Sequence, residues 1–301
     1  MRHIYIVRHG ERMDNVDPNW KEKAPRGAWD DPPLSSRGHQ QAREVGRKLA
    51  SEHVKIDHVF SSPFLRCVQT TDEILRELHG IEETKSDGDL LKADIQEKKL
   101  TKQLLKIRLE PGICEALTLC QTPAGCLEAK DLKSTFPVID HTYVEFITKD
   151  KLPVEKSAIC CFPRVESTLK QIIENYSGNI LIVSHGAPIT ACHAHLCGTF
   201  QYVGQCTISK YIAEEPTKNG EKIASAQEEQ ENLNDEKFRR IDEKELAART
   251  HPKLEKKWTF KCEYVGDSSH LSDQSELRGL SDCSEKQIND FKALFTEYSG
   301  K

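Results

Sequence analysis

Two stretches of this chain end alike. His3-Ile4-Tyr5-Ile6-Val7-Arg8-His9-Gly10 and Asn179-Ile180-Leu181-Ile182-Val183-Ser184-His185-Gly186 each run through apolar, β-branched residues to a polar residue, a histidine and a glycine. Short apolar runs bounded by turn signals predict buried strands. Side by side in one parallel sheet, such strands bring their imidazoles together at the carboxyl edge, where open α/β sheets bind ligands. Gly10 is expected to supply the backbone angles of a sharp turn. One histidine at a strand end is more often structural. Two at matched ends, one of them between Arg8 and Arg12, point to an anion site, because the guanidinium fork matches phosphate oxygens.

A third piece lies between them. The strand-like His58-Val59-Phe60 leads into Ser61-Ser62-Pro63-Phe64-Leu65-Arg66-Cys67-Val68-Gln69-Thr70-Thr71, which places Arg66 at a strand-to-helix junction favourable to anions. In this order, Arg8-His9-Gly10, the Ser-Pro-x-Leu-Arg-Cys-x-Gln-Thr block and Ser184-His185-Gly186 resemble the histidine phosphatase (phosphoglycerate mutase-like) superfamily. Arg8-His9-Gly10-Glu11-Arg12-Met13-Asp14 is similar to a narrower branch, which holds the suppressor of T-cell receptor signalling phosphatase domains and ecdysteroid-phosphate phosphatase. Leu109-Glu110-Pro111-Gly112-Ile113-Cys114-Glu115 is similar to that branch's Glu-Pro-Gly-x-x-Glu segment. The likeness runs from about Arg2 to Tyr211, with weaker traces near 258–271.

The resemblance implies an α/β fold with a mostly parallel central sheet flanked by helices and an irregular lid subdomain. It implies a histidine acid phosphatase-type phosphomonoester hydrolase working through a phosphohistidine. His9 is the expected nucleophile. Its arginine neighbours disfavour imidazolium, and its second ring nitrogen is expected on a nearby backbone carbonyl. Arg8, Arg12 and Arg66 are expected around the phosphoryl oxygens, with His185 as a further donor, so that fixed charge replaces a metal ion. Neither a metal nor another cofactor is expected. The likeness makes Glu115 the proton donor to the leaving group and the later base for water. Glu11 is the rival acid, more in keeping with an ion pair to arginine. Mutases resemble Arg-His-Gly-x-Ser, so Arg12 favours hydrolysis over phosphoryl shuttling. Related phosphatases carry tryptophan after the glutamate where Ala116 stands here, which leaves the substrate open between phosphotyrosine-type and small hydrophobic esters. A non-catalytic phosphate-binding scaffold is the alternative from another class.

Composition narrows the partners. With 301 residues, 37% hydrophobic and a net charge of −5, the chain has enough material for a sizeable core and too little positive charge for a general nucleic-acid binder. No apolar run reaches the length of a membrane span. Eleven cysteines, an odd number without zinc spacing and without a secretory signal, predict reduced thiols and a cytoplasmic setting. The expected partner is a phosphorylated protein or small phosphomonoester, not nucleic acid or membrane, with a homodimer left open. The ubiquitin-associated and Src-homology domains that accompany the signalling phosphatases are not found in the sequence.

The expected layout is a phosphatase domain over 1–213, with a polar insertion at about 82–106 and a lid at about 116–156. A polar excursion follows at 214–257, and an edge strand with a C-terminal tail at 258–301 completes the same domain. The loop 14–33 is expected beside the site, and a helix opens at Ser35 as N-cap. Further helices are expected after Arg66, over Phe162 to Tyr176 and over Pro188 to Leu196. His193 and His195 point to different faces of the last one and are read as structural or surface residues. Thr207 to Ala213 and Trp258 to Val265 are expected as two edge strands. The Ser- and Asp-rich tail after His270 is expected to be partly mobile, with an amphipathic run Ile288–Phe295 that docks back.

Overall fold

A computed structural model describes residues 1–80, 105–215, 258–279 and 296. Its centre is one sheet of β1 (Arg2–Arg8), β2 (His58–Ser61), β3 (Ile107–Leu109), β4 (Ile180–Ser184), β5 (Ile208–Glu214) and β6 (Thr259–Asp267), in the order β3-β2-β4-β1-β5-β6. The first four strands are mutually parallel, β5 runs antiparallel to β1, and β6 runs antiparallel to β5. β1 and β4 are adjacent, with Arg8 opposite Ser184. His9 and His185 therefore leave the sheet together.

Strand periodicity divides the core. Tyr5, Val7, Val59, Leu181 and Val183 face one layer of apolar residues, while Ile4, Ile6, Phe60, Ile180 and Ile182 face the other. Helices α1 (Ser36–Ser51) and α2 (Leu65–Leu78) cover the first through Ala42, Val45, Leu49, Val68, Ile74 and Leu75. Helices α3 (Phe162–Asn175) and α4 (Gly186–Cys197) cover the second through Val165, Leu169, Ile172 and Ile189. Ser35 caps α1, its hydroxyl accepting from the Gly38 amide at 3.0 Å.

Several expectations change. Gly10 is not among the residues with positive φ. It is glycine because a Cβ there would lie 2.6 Å from the Gly38 carbonyl oxygen, so the turn after His9 runs against the first turn of α1. β5 is interior rather than an edge: it pairs with β1 on one side and β6 on the other, and of the two expected edge strands β6 alone lies at an edge. Its alternation of Ser209 and Lys210 with apolar residues gave the appearance of an edge strand. Of the segment after His270, residues 271–279 pack on the sheet, because Leu271 and Leu277 enter the core. Residues 105–106 at the end of the expected insertion are described. Residues 81–104, most of the excursion at 214–257 and the run Ile288–Phe295 lie outside the described residues.

The segment 116–156 holds only single helical turns, Leu117–Leu119, Ala129–Leu132 and Lys149–Lys151. It returns to the sheet edge, where Ile139 bridges to Ile107 of β3. No helix among the described residues is long and apolar enough to cross a membrane.

Candidate active site

The carboxyl edge of β1 delivers the centre of the site. His9 is 1% exposed, and its Nδ1 lies 2.7 Å from the Gly10 carbonyl. With the proton on Nδ1, Nε2 keeps its lone pair. Burial pushes the His9 pKa well below 6.5; Arg66, Arg8 and Arg12 push it further, and the Gly10 carbonyl opposes them. The imidazole is held neutral, as a nucleophile needs.

His185, fully buried, sits beside it with ring centroids 5.2 Å apart. Ser62 Oγ is 2.7 Å from its Nε2, and Glu115 Oε2 is 3.5 Å from its Nδ1. Burial, then the positive field of Arg66, holds His185 well below 6.5 as well. Arg66 Nη2 approaches the same Glu115 oxygen at 3.5 Å, and its Nη1 donates to the Asp30 carbonyl at 3.0 Å. The Arg66 guanidinium also lies 4.6 Å above the Phe64 ring. Glu115 is anchored by its other oxygen, which accepts from the Ala116 amide at 3.0 Å.

Arg8 Nη1 donates to two carbonyls, Val203 at 2.7 Å and Arg278 at 2.6 Å, and its guanidinium lies 5.0 Å from the Tyr202 ring centroid. Arg12 is gripped by Asp14, with Nε at 2.9 Å and Nη2 at 2.6 Å from the two carboxylate oxygens. Burial, then repulsion from Arg66, lowers the Arg12 pKa from its ordinary value.

A cavity of about 280 Å³ opens onto this edge, lined by Arg8, His9, Arg12 and Glu115 together with Asn15, Leu119, Gly186, Tyr202, Gln205 and Arg278. Arg66 and His185 do not line it; they lie behind Glu115 and His9. Of the 116–156 segment, Leu119 alone reaches the cavity. A larger cavity of about 500 Å³, between Pro63, Pro111, Leu127 and Lys149, has neither histidine nor arginine in its wall. Donor atoms of His9, Glu115 and His185 come within 4.8 Å of one another, a spacing that a metal ion would accept. The guanidiniums of Arg8, Arg12 and Arg66 around that point repel a cation and attract an anion.

The remaining expectations sort simply. Glu11 points away from the cavity, bonding Ser35 Oγ at 2.6 Å and pairing with Arg37 at 3.0 Å. Glu110 is structural: it accepts from the Gly112 and Phe146 amides at 2.7 and 2.8 Å and from the Tyr143 hydroxyl at 2.5 Å. His193 is buried between the Gln201 carbonyl and Ser209 Oγ, and His195 lies 3.4 Å from Glu166. The loop 14–33 does border the site, through Asp14 and Asp30. Sequence reasoning did not single out Ser62, Asp14, Asp30, Tyr202 or Arg278 as members of the site. Ser62 and Asp14 stood inside quoted motifs; the other three did not.

A helix-covered α/β sheet whose two central parallel strands end in paired neutral histidines among buried arginines defines a class of anion-handling protein. This chain belongs to the histidine phosphatase superfamily (branch 1), whose pattern matches residues 4–94 and 128–210. It is similar to ecdysteroid-phosphate phosphatase of Drosophila melanogaster, 29% identical over 226 residues, which are 65% of this chain and 27% of that protein. It is 34% identical over 227 residues to ubiquitin-associated and SH3 domain-containing protein A of Mus musculus, 65% of this chain and 33% of the relative. The match thus spans about a third or less of these curated relatives. Among solved structures, the ecdysone phosphate phosphatase of Bombix mori in complex with tungstate shares the fold. Its TM-score is 0.52 at 21% identity, covering 70% of this chain and 89% of the other.

Proposed function

We propose that this protein hydrolyses phosphate monoesters through a phosphohistidine on His9, without a metal ion. The observation that carries the reading is a neutral imidazole, fixed through Nδ1, in the wall of a cavity that also exposes Arg8 and Arg12. A dianionic phosphoryl group entering this cavity meets preorganised charge instead of water. Asp14 engages Nε and Nη2 of Arg12, which leaves Nη1 as the edge for an oxygen. Nε2 of His9 attacks phosphorus as the ester oxygen departs in line.

Glu115 has two tasks in this scheme. Its carboxyl borders the cavity, so it gives a proton to the departing oxygen and later takes one from the water that cleaves the phosphohistidine. It also stands where Arg66 and His185 converge. As the dianionic phosphoryl group settles, the carboxylate leaves those two donors and takes up from solvent the proton it then gives to the departing oxygen, while Arg66 and His185 serve the phosphoryl oxygens.

What adjoins the cavity supports an apolar substrate class. Ala158, Ala187 and Tyr202 continue into an apolar cleft with Ile159, Phe162 and Phe200. The cleft itself holds only about 10 Å³, so it is the apolar rim it gives the cavity that favours an aryl or other apolar leaving group, either a phosphotyrosine side chain or a small hydrophobic ester. The relatives named for an ecdysteroid phosphate support the latter.

The test is direct. Wild type should turn over p-nitrophenyl phosphate after thorough chelation, with competitive inhibition by vanadate, and brief incubation should leave an acid-labile, alkali-stable phosphoryl group that His9→Ala lacks. Activity lost to chelation and restored by Mg²⁺ or Zn²⁺, or label on a serine or cysteine, overturns the reading.

A further inference from the structure

The phosphate-facing arginine of β1 is held from outside the region that matches the family, which ends at residue 210. The strap 268–279 crosses the carboxyl edge of the sheet. Its anchors are Leu271 and Leu277, both buried, and Glu44, which accepts from Ser272 Oγ and the Ser272 amide. Asp273 pairs with Arg37 at 3.0 Å. The Leu277 carbonyl accepts from the Gln205 backbone amide at 2.7 Å, and the next carbonyl, that of Arg278, accepts from Arg8 Nη1 at 2.6 Å.

The local backbone is shaped for that delivery. Glu276 and Arg278 both adopt left-handed conformations, with φ of 45° and 55°. Non-glycine residues rarely take such angles without support from their surroundings, and they concentrate at functional sites. Leu277 lies between them on Gly204, where a Cβ would stand 2.8 Å from the Leu277 Cβ. Gly204 follows Val203, whose carbonyl is the other acceptor for the same Arg8 nitrogen.

We infer that the strap is a positioning element of the active site: seated by Leu277 on Gly204, it presents the Arg278 carbonyl that aims Arg8 at the phosphoryl group. Two carbonyls and the Tyr202 ring fix the guanidinium without neutralising it. The inference rests on the function proposed above.

Two variants disturb the seat from opposite sides. Leu277→Ala loosens the strap, and Gly204→Ala lifts it. Each should raise the inhibition constant of inorganic phosphate against p-nitrophenyl phosphate by about tenfold, the order expected when one hydrogen bond to a charged group is lost. Leu277→Met, nearly equal in volume, should restore the wild-type constant. Because either variant also lowers the melting temperature, the deciding measurement is a double-mutant cycle with Arg8→Lys. If the strap acts through Arg8, adding Leu277→Ala to Arg8→Lys changes phosphate affinity little further. Additive losses, or wild-type phosphate affinity in both variants, overturn the inference. A wild-type protein that neither turns over the ester nor binds phosphate overturns the proposed function instead.

Discussion

Removing the positive charge of Arg66 should slow the protein most where the solution is most acidic. Burial is the largest force holding the His9 pKa below 6.5, and Arg66 is the largest of the charges that add to it. An imidazole of ordinary pKa would be about three-quarters neutral at pH 7 and only about a tenth neutral at pH 5.5. His9, held well below that value, stays neutral at both. In Arg66→Gln its pKa moves back toward 6.5, though not all the way, because the burial remains. The variant also loses a pH-independent factor, roughly 10²–10³, from weaker stabilisation of the transition state. The assay is single-turnover formation of phosphohistidine from p-nitrophenyl phosphate between pH 5.5 and 7.5, read as the ratio of wild type to variant. Substrate ionisation is common to both and divides out. The ratio should grow toward acid by a factor of about two to ten. Nitrogen NMR of His9 reports the same shift directly. A ratio that stays flat, or a wild-type His9 that titrates at or above 6.5, refutes the electrostatic argument.

Glu115→Gln should slow phosphohistidine formation by roughly 10²–10⁴-fold with an alkyl phosphate and much less with p-nitrophenyl phosphate, whose leaving group hardly needs a proton. The same variant should bind inorganic phosphate more tightly, since an anion no longer occupies the space beside Arg66 and His185; equal losses on both esters with unchanged phosphate affinity would reduce Glu115 to a structural part. His193 tests a different link, that between burial and acid stability. Its burial lowers its pKa to about 4, whereas the unfolded chain takes up that proton near 6.5. Between those values the unfolded state binds more protons, so folding stability falls as pH falls, by roughly 3 kcal/mol for this residue. His193→Gln should flatten the decline of the urea midpoint from pH 6.5 to 4, and an unchanged slope rejects the assignment.

The pairing of His9 with His185 was legible because strand patterning sets both the burial and the register of each residue. Arg66 was legible for a similar reason, its strand-to-helix junction marked by Ser62-Pro63. Glu115 was reached by resemblance alone; nothing in its spacing distinguishes it from Glu110, five residues earlier, which the structure shows tying down its own loop. Tyr202 and the strap carried no sequence signal. The strap makes contacts with the site more than 60 residues away along the chain, and its two leucines, Leu271 and Leu277, are too few to show any period among Ser and Asp. The interior place of β5 was hidden too, because pairing partners are a property of topology and Ser209-Lys210 resembles a solvated edge.

The partners of the three arginines explain how so much positive charge serves the chemistry. Arg12 faces a bidentate aspartate, and Arg66 faces Glu115 with Asp31 within electrostatic reach. Those acids offset the cost of bringing guanidiniums together, and they also cancel part of the field a substrate would feel. Arg8 differs: among the described residues its partners are two backbone carbonyls and the face of Tyr202. Neutral dipoles orient a cation while leaving its net charge intact, so the least compensated charge adjoins His9 in the chain. That is where the proposed mechanism brings the phosphoryl group. An acidic residue in place of the carbonyls would hold the guanidinium more firmly and weaken the site, because the binding charge would already be spent on the protein itself.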